Sequence, residues 1–513
     1  MKTAISGFLA LFVISIQVYA QDTYKVLFAS EMNDVISGLS KGHNDEYNII
    51  ATKNYWEGIY DTSSIVRKDI YSFHNNLADS VRWPVSFNRN DTTLFPSSIL
   101  YDTSSYLVAG GAVVREVGED TIFTRYQYIA SFGLNKQILW EHLYPRPQEL
   151  LAYGSPNSQR ILQLTSGNYL TVSRVTILGG SIEKWLIQSY TPDGDTLQTR
   201  VFDDYLAGYI ESLTYNYDSS EILVHATVGH IPGCNHLLNA GRGAVILDTI
   251  TYDTLGGICY EPNFHIQHPY EAMFNPEGSL IIAGETMIYN SDEQKMDEYF
   301  GVYVLDTNYN VTNSTLLTDK DRKFKAASFK CMDITANGDI FLAGILDRNP
   351  VFFPQTYNYI YLAKLDSDLN ILTERIFGGD AYYYARNILT TTDGGIILSG
   401  KQYDYMVNDW GDHDAFVIKT NADLMVSTNE MNSIPVHSAL VYPNPGNGKL
   451  NIRTTEKGSV FVLNDLSGKQ VKQIRIDNLT TEMDCTSLPG GVYIWKLYRN
   501  KHEIDHGKWI NIK

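Results

Sequence analysis

One phrase of apolar and polar positions recurs along this chain: a tight polar turn, then a short apolar strand that ends in small residues. It is clearest at Leu280-Ile281-Ile282-Ala283-Gly284, Ile340-Phe341-Leu342-Ala343-Gly344 and Ile396-Ile397-Leu398-Ser399-Gly400. Looser copies are Asn48-Ile49-Ile50-Ala51-Thr52, Tyr106-Leu107-Val108-Ala109-Gly110, Tyr169-Leu170-Thr171-Val172-Ser173 and Ile222-Leu223-Val224-His225-Ala226. The copies stand roughly 53 to 63 residues apart, a spacing that marks propellers or solenoids. Glu277-Gly278-Ser279, Asn337-Gly338-Asp339 and Asp393-Gly394-Gly395 precede the clear copies. Gly and Asn tolerate positive φ, so these turns predict joints between neighbouring antiparallel strands.

A second phrase follows each copy after a variable loop. It reads Val245-Ile246-Leu247-Asp248, Tyr303-Val304-Leu305-Asp306, Tyr361-Leu362-Ala363-Lys364-Leu365-Asp366 and Phe416-Val417-Ile418-Lys419, with weaker forms at Ile70, Tyr128 and Leu186. A short turn then leads to a fourth strand, as at Ile138-Leu139-Trp140-Glu141 and Ile371-Leu372-Thr373. About four strands in each of about seven units is the plan of a β-propeller. The clearest copies resemble the degenerate Gly-rich propeller repeats found on many secreted proteins, a structural class with no fixed chemistry. The seventh unit needs a fourth strand, and either Tyr24 to Ala29 or Leu424 to Ser427 supplies it. Pairing the two ends would remove an open sheet edge; an open solenoid is the alternative.

Composition narrows the partners. A hydrophobic fraction of 44% with 36 Tyr and 20 Phe suits half-buried strands and a large core. A net charge of -18 argues against nucleic acid, whose phosphates are bound by basic patches, and against adhesion to anionic lipid by charge alone. Four Cys are too few for a disulfide scaffold. No cofactor is expected.

With the first strand of each unit innermost, the tight turns share one face and the longer loops share the other. Long loops on a rigid scaffold are where function usually sits. Trp56, Phe352, Phe353, Tyr357, Tyr405 and Trp410 lie in those loops beside acidic and amide groups. They either stack on sugar rings or pack their own loops. His230, Cys234, His236, Cys259, His265 and His268 approach the same face. Their spacing matches no strict metal motif, so no metal is assigned; the alternative to a six-residue ligand set is a Cys234–Cys259 disulfide clipping a loop to its blade. Cys331 reads as a buried filler. Asp409, Asp412, His413 and Asp414 form an acidic run, part of it structural, and no catalytic residue is assigned. Asp203, Asp204 and Glu271 fall in links between units, near where a channel site would be. Paired carboxylates there at about 5 to 9.5 Å would suit glycoside hydrolysis.

The two ends of the chain carry the sharpest signals. Met1-Lys2, an apolar run to Ile16 and Val18-Tyr19-Ala20 read as a signal peptide of residues 1–20, cut between Ala20 and Gln21. No later segment is long and apolar enough to span a bilayer. The tail opens Val441-Tyr442-Pro443-Asn444-Pro445, continues through Asn464-Asp465-Leu466-Ser467-Gly468-Lys469 and closes Leu488-Pro489-Gly490-Gly491-Val492-Tyr493. This resembles the C-terminal sorting domain (type A) of the type IX secretion system. The resemblance implies a small β-sandwich, contact with the secretion machinery, passage through periplasm and outer membrane of a Gram-negative cell, and removal of the tail at the surface. Short Asp-Thr steps such as Asp120-Thr121-Ile122 resemble the O-glycosylation sequon of such bacteria. The organisation expected is propeller 21–426, linker 427–440 and tail 441–513. The leading expectation is an exported, non-catalytic binding module for glycan or protein. A secreted polysaccharide-acting propeller enzyme and an adhesion scaffold are the alternatives.

Overall fold

A computed structural model describes residues 24–28, 35–53, 67–74, 81–84, 92–117, 121–145, 160–176, 183–202, 209–228, 231, 241–260, 266–290, 295–317, 323–349, 354–406, 413–426, 436–437, 439–442, 446–454, 457–478, 480–499 and 502–512. Seven antiparallel sheets form the body; six have four strands, and one has a split innermost strand and an added outer one. Their innermost strands, in blade order, are Val35–Lys41, Thr92–Tyr101, Arg160–Gln163, Ile210–Tyr215, Ile266–Phe274, the pair Phe324–Ala326 and Met332–Ile334, and Tyr382–Thr390. Each touches the next, and the seventh touches the first, so the ring is closed. The body is a β-propeller.

Every copy of the first phrase falls on the second strand of its blade, and every copy of the second phrase on the third. Closure uses Tyr24–Phe28, which pairs antiparallel with Asp414–Lys419, Tyr24 opposite Lys419 and Phe28 opposite Ala415. Leu424, the competing candidate, instead closes a turn back to Asn421 and is buried.

Apolar cores lie between blades rather than within them. Trp83 of blade 1 packs with Tyr106 and Phe132 of blade 2. Leu107 meets Tyr169 between blades 2 and 3, and Ile187 meets Val224 between blades 3 and 4. Leu223 meets Ile282 between blades 4 and 5. One larger core joins blades 5, 6 and 7, and Ile49 with Ile397 joins blade 7 to blade 1. A strand buried on both faces reads as a continuous apolar run, which is why the phrase is solid rather than alternating.

The small residues ending the phrase have a steric cause. The ladder between first and second strands skips one residue at Ser37, Ser97, Glu211 and Arg386, and is irregular again around His268. At these bulges the inner strand's carbonyls lean onto the second strand. A Cβ on Gly284 would sit 1.9 Å from the His268 oxygen, and one on Gly110 would sit 2.0 Å from that of Phe95. Only glycine fits there.

The tail forms two sheets around its own core. Leu440–Tyr442, Lys449–Arg453 and Thr480–Asp484 make one; Val460–Asn464, Gln470–Arg475, Gly491–Arg499 and His502–Asn511 make the other. Phe461, Trp495 and Trp509 are buried between them. The motif residues build this sandwich. Asp465 accepts the N–H groups of Ser467 at 2.9 Å and Lys469 at 3.1 Å, and Gly468 has φ +83°. The Pro489 carbonyl accepts the Tyr493 hydroxyl at 2.7 Å. Val492 pairs with Ile510 in the following strand. Pro443, Asn444 and Pro445 lie outside the described residues.

Candidate functional site

The loops between second and third strands, and the links between blades, share one face of the ring. Of the six aromatic candidates there, Trp56, Phe352, Phe353 and Trp410 lie outside the described residues. Tyr357 of blade 6 and Tyr405 of blade 7 come together, ring centroids 5.1 Å apart and tilted by 35°. Asp404 sits with them: its Oδ1 accepts the Tyr357 hydroxyl at 3.1 Å and the Met406 N–H at 2.9 Å. Both rings are half-buried, and Met406 is 71% exposed. Partial burial first, then the Asp404 carboxylate, pushes the Tyr357 hydroxyl up to about 12, so it stays protonated as a donor.

A second aromatic layer lies at the same end of blade 7. The Tyr382 hydroxyl exchanges two 2.7 Å hydrogen bonds with the Asn349 backbone. His413 is buried against Tyr403 and Tyr384, at 5.2 and 5.6 Å between centroids. Lys401 Nζ lies 5.1 Å from the Tyr384 ring centre. Asp414 opens a strand, while Asp409 and Asp412 lie outside the described residues. The signal for this layer was present as the run Tyr382-Tyr383-Tyr384, and its place on the loop face follows from Tyr382 pairing opposite Tyr403.

The channel wall is charged but committed. Glu271, expected in a link, stands on the innermost strand of blade 5, since Ile266–Phe274 runs longer than the apolar pattern suggested. Its Oε1 accepts the Ser212 hydroxyl of blade 4 at 2.6 Å and the Ala272 N–H at 3.1 Å. Burial raises its carboxyl, opposed by the Lys330 and Arg160 cations. Burial lowers the Arg160 guanidinium against the pull of Glu211 and Glu271, and its Nε donates to the Glu211 carbonyl at 2.8 Å. Lys330 donates to Asp333 at 2.8 Å. Asp333 Oδ2 accepts the Thr390 N–H at 2.6 Å and hydroxyl at 2.7 Å, and Lys41 reaches the same hydroxyl at 3.1 Å. Arg160, Glu271, Lys330, Asp333 and Lys41 thus alternate in sign from blade 3 round to blade 1. Such a belt stitches blades together and leaves its carboxylates occupied. Asp203 and Asp204 lie outside the described residues.

Nearer the loop face, His268 Nδ1 is 3.7 Å from Glu211 and its ring stacks on Tyr270 at 5.4 Å. The Tyr270 hydroxyl donates to Glu285 at 3.3 Å, and Arg348 stands 3.7 Å from the same carboxylate. His230, Cys234, His236 and His265 lie outside the described residues. Cys259 is disulfide-bonded, which takes its thiolate out of any ligand set, while Cys331 and Cys485 are free and buried. Cys331 donates to the Ala283 carbonyl at 3.4 Å, as a buried filler would. Among the described residues no group of three or more His, Cys, Asp or Glu is placed to hold a metal.

Residues 440–511 match the family model of the secretion system C-terminal sorting domain. The chain carries a type IX sorting tail. The sorting tail implies contact with the secretion machinery and export to the cell surface or beyond. No described helix is long and apolar enough to cross a membrane. No curated protein matches the chain in sequence. Solved structures similar to it include PorZ, a surface component of the type IX secretion system of Porphyromonas gingivalis, at 11% identity and TM-score 0.23 over 93% of this chain and 81% of that one. A Bombyx mori GH32 beta-fructofuranosidase follows at 10% identity and TM-score 0.32, covering 79% and 92%. A subtype N11 neuraminidase-like protein from a flat-faced bat virus stands at 8% and 0.33, covering 79% and 96%. At such scores these likenesses say nothing of this chain's chemistry; the fold rests on its own strand pairing.

Proposed function

We propose that the mature protein, from Gln21, is an extracellular binding module that takes a glycan on the loop face of blades 6 and 7. The Tyr357–Tyr405 pair with Asp404 carries this reading. Two half-exposed rings offer apolar faces to a sugar, and the adjacent carboxylate accepts its hydroxyls. Tyr382, Tyr384 and His413 form a packed aromatic cluster at the same end of blade 7. The belt in the channel favours binding over hydrolysis, because Glu271 and Asp333 are engaged by neighbouring blades. A signal peptide of residues 1–20 delivers the chain to the periplasm, the propeller spans 21–426, and Cys259 bridges to Cys234. Peptide mapping of the non-reduced protein checks the bridge; a free Cys234 thiol would refute it.

Retention of the full mature chain on a panel of insoluble polysaccharides, with analysis of soluble products, tests the function. Retention without shortened products is expected. Shortened products would replace binding with catalysis. No retention on any polysaccharide would remove glycan as the ligand and leave the protein-ligand and scaffold readings.

A further inference from the structure

The sorting domain sits against the outer side of blade 6. Val436–His437 runs antiparallel to the outermost strand Ile371–Gly378, with Val436 opposite Phe377 and His437 opposite Ile376. Arg453, from the first sheet of the sorting domain, forks onto Glu374: Nε lies 3.4 Å from Oε1 and Nη2 lies 3.4 Å from Oε2. Their side chains are only 2% and 4% exposed. The Tyr361 hydroxyl donates to the same carboxylate at 2.9 Å. The guanidinium lies 5.6 Å from the Phe324 ring centre and 6.0 Å from that of Tyr361. Tyr442 enters the core shared by blades 5, 6 and 7.

Phe324, Tyr361 and Glu374 come from the innermost, third and outermost strands of one blade, so the seat exists only when blade 6 is assembled. A planar guanidinium fits a carboxylate two-pronged and stacks on aromatic faces, which an ammonium does not do. Truncating either partner while the domain stays docked would strand a buried charge, and breaking a buried pair by removing one partner is strongly destabilising. The added strand supplies main-chain hydrogen bonds independent of side chains.

We propose that the sorting domain stays bound to the propeller after the chain between them is cut, held by Arg453 in the Glu374 seat and by the strand at Val436–His437. Loss of the tail is then two events, peptide cleavage and a separate dissociation. The test uses the full mature chain with a protease recognition sequence inserted between Ser427 and Pro435, cut in vitro and passed over a size-exclusion column. The two fragments are expected to co-elute. R453Q and E374Q should each speed dissociation at least about tenfold, with R453K between them and wild type. Fluorescence of Trp495 and Trp509 checks that the R453Q tail is folded; E374Q reaches the same interface from the propeller side should it not be. Wild-type fragments that part on first passage would overturn the proposal. So would R453Q and E374Q fragments that stay together as long as wild type.

Discussion

The channel wall and the loop face of blades 6 and 7 are both dense in polar groups, yet they differ in what those groups are doing. In the channel, Asp333 is buried and Glu271 partly so; both accept hydrogen bonds from neighbouring blades and face Arg160, Lys330 and Lys41. On the loop face, Tyr357 and Tyr405 are half-exposed, and the Tyr357 hydroxyl shares the Asp404 carboxylate with the Met406 N–H. A charged propeller channel is therefore not by itself a catalytic centre. Alternating charges from blade 3 round to blade 1 tie neighbouring blades together at the innermost strands.

The comparison breaks most severely at Asp333. Asp333→Ala removes the buried acceptor for Lys330 and for both Thr390 donors, leaving a partly buried cation and two unpaired donors. It should cost about 3–5 kcal/mol in urea unfolding while retention on polysaccharide by the folded fraction stays unchanged. A cost within the range of ordinary surface changes would mean the belt stitches nothing. Gly284→Ala comes next, at about 1–3 kcal/mol, because its Cβ meets a backbone carbonyl that cannot swing aside. An unchanged urea midpoint would show that the bulge gives way.

Acid sharpens the same contrast. Asp333 has a depressed carboxyl: burial would raise it, but Lys330 and Lys41 outweigh burial. Folded, it binds fewer protons than unfolded. Its contribution is full above the unfolded value of about 3.9, shrinks as pH falls through that value and is gone below the folded one. Urea midpoints followed from about pH 6 to about pH 2 should fall less steeply in Asp333→Asn than in wild type. Identical acid limbs would contradict the charge pairing. The smallest effect on stability is at the loop face. Tyr405→Ala should leave unfolding within about 0.5 kcal/mol and weaken glycan binding by about tenfold, the loss of one stacking ring.

Much of this division was legible in the sequence. The two apolar phrases located the second and third strand of every blade, because strands buried on both faces must be solidly apolar. Tyr24–Phe28 was readable as a closing strand because the seventh unit lacked one. The Ala-Gly ending was visible as a pattern, but its cause was not: it lies in carbonyls of the preceding strand, such as that of His268. The belt was illegible for a related reason. Lys41 and Thr390 are 349 residues apart, and only ring closure brings them to 3.1 Å. Glu271 was placed in a link because its strand mixes charged and apolar residues around a bulge. Tyr357 and Tyr405 could be named as loop aromatics but not as a pair, since loop lengths do not give the approach of two side chains. Arg453 carried no signal at all; its partner belongs to a blade far away in the chain.

Affinity electrophoresis of wild type, Tyr405→Ala and Glu271→Gln in gels containing the retained polysaccharide tests the central claim most directly. The expected result is retarded migration for wild type and Glu271→Gln alike, with retardation lost in Tyr405→Ala. Retardation lost in Glu271→Gln and kept in Tyr405→Ala would move the ligand from the loop face into the channel and contradict the account.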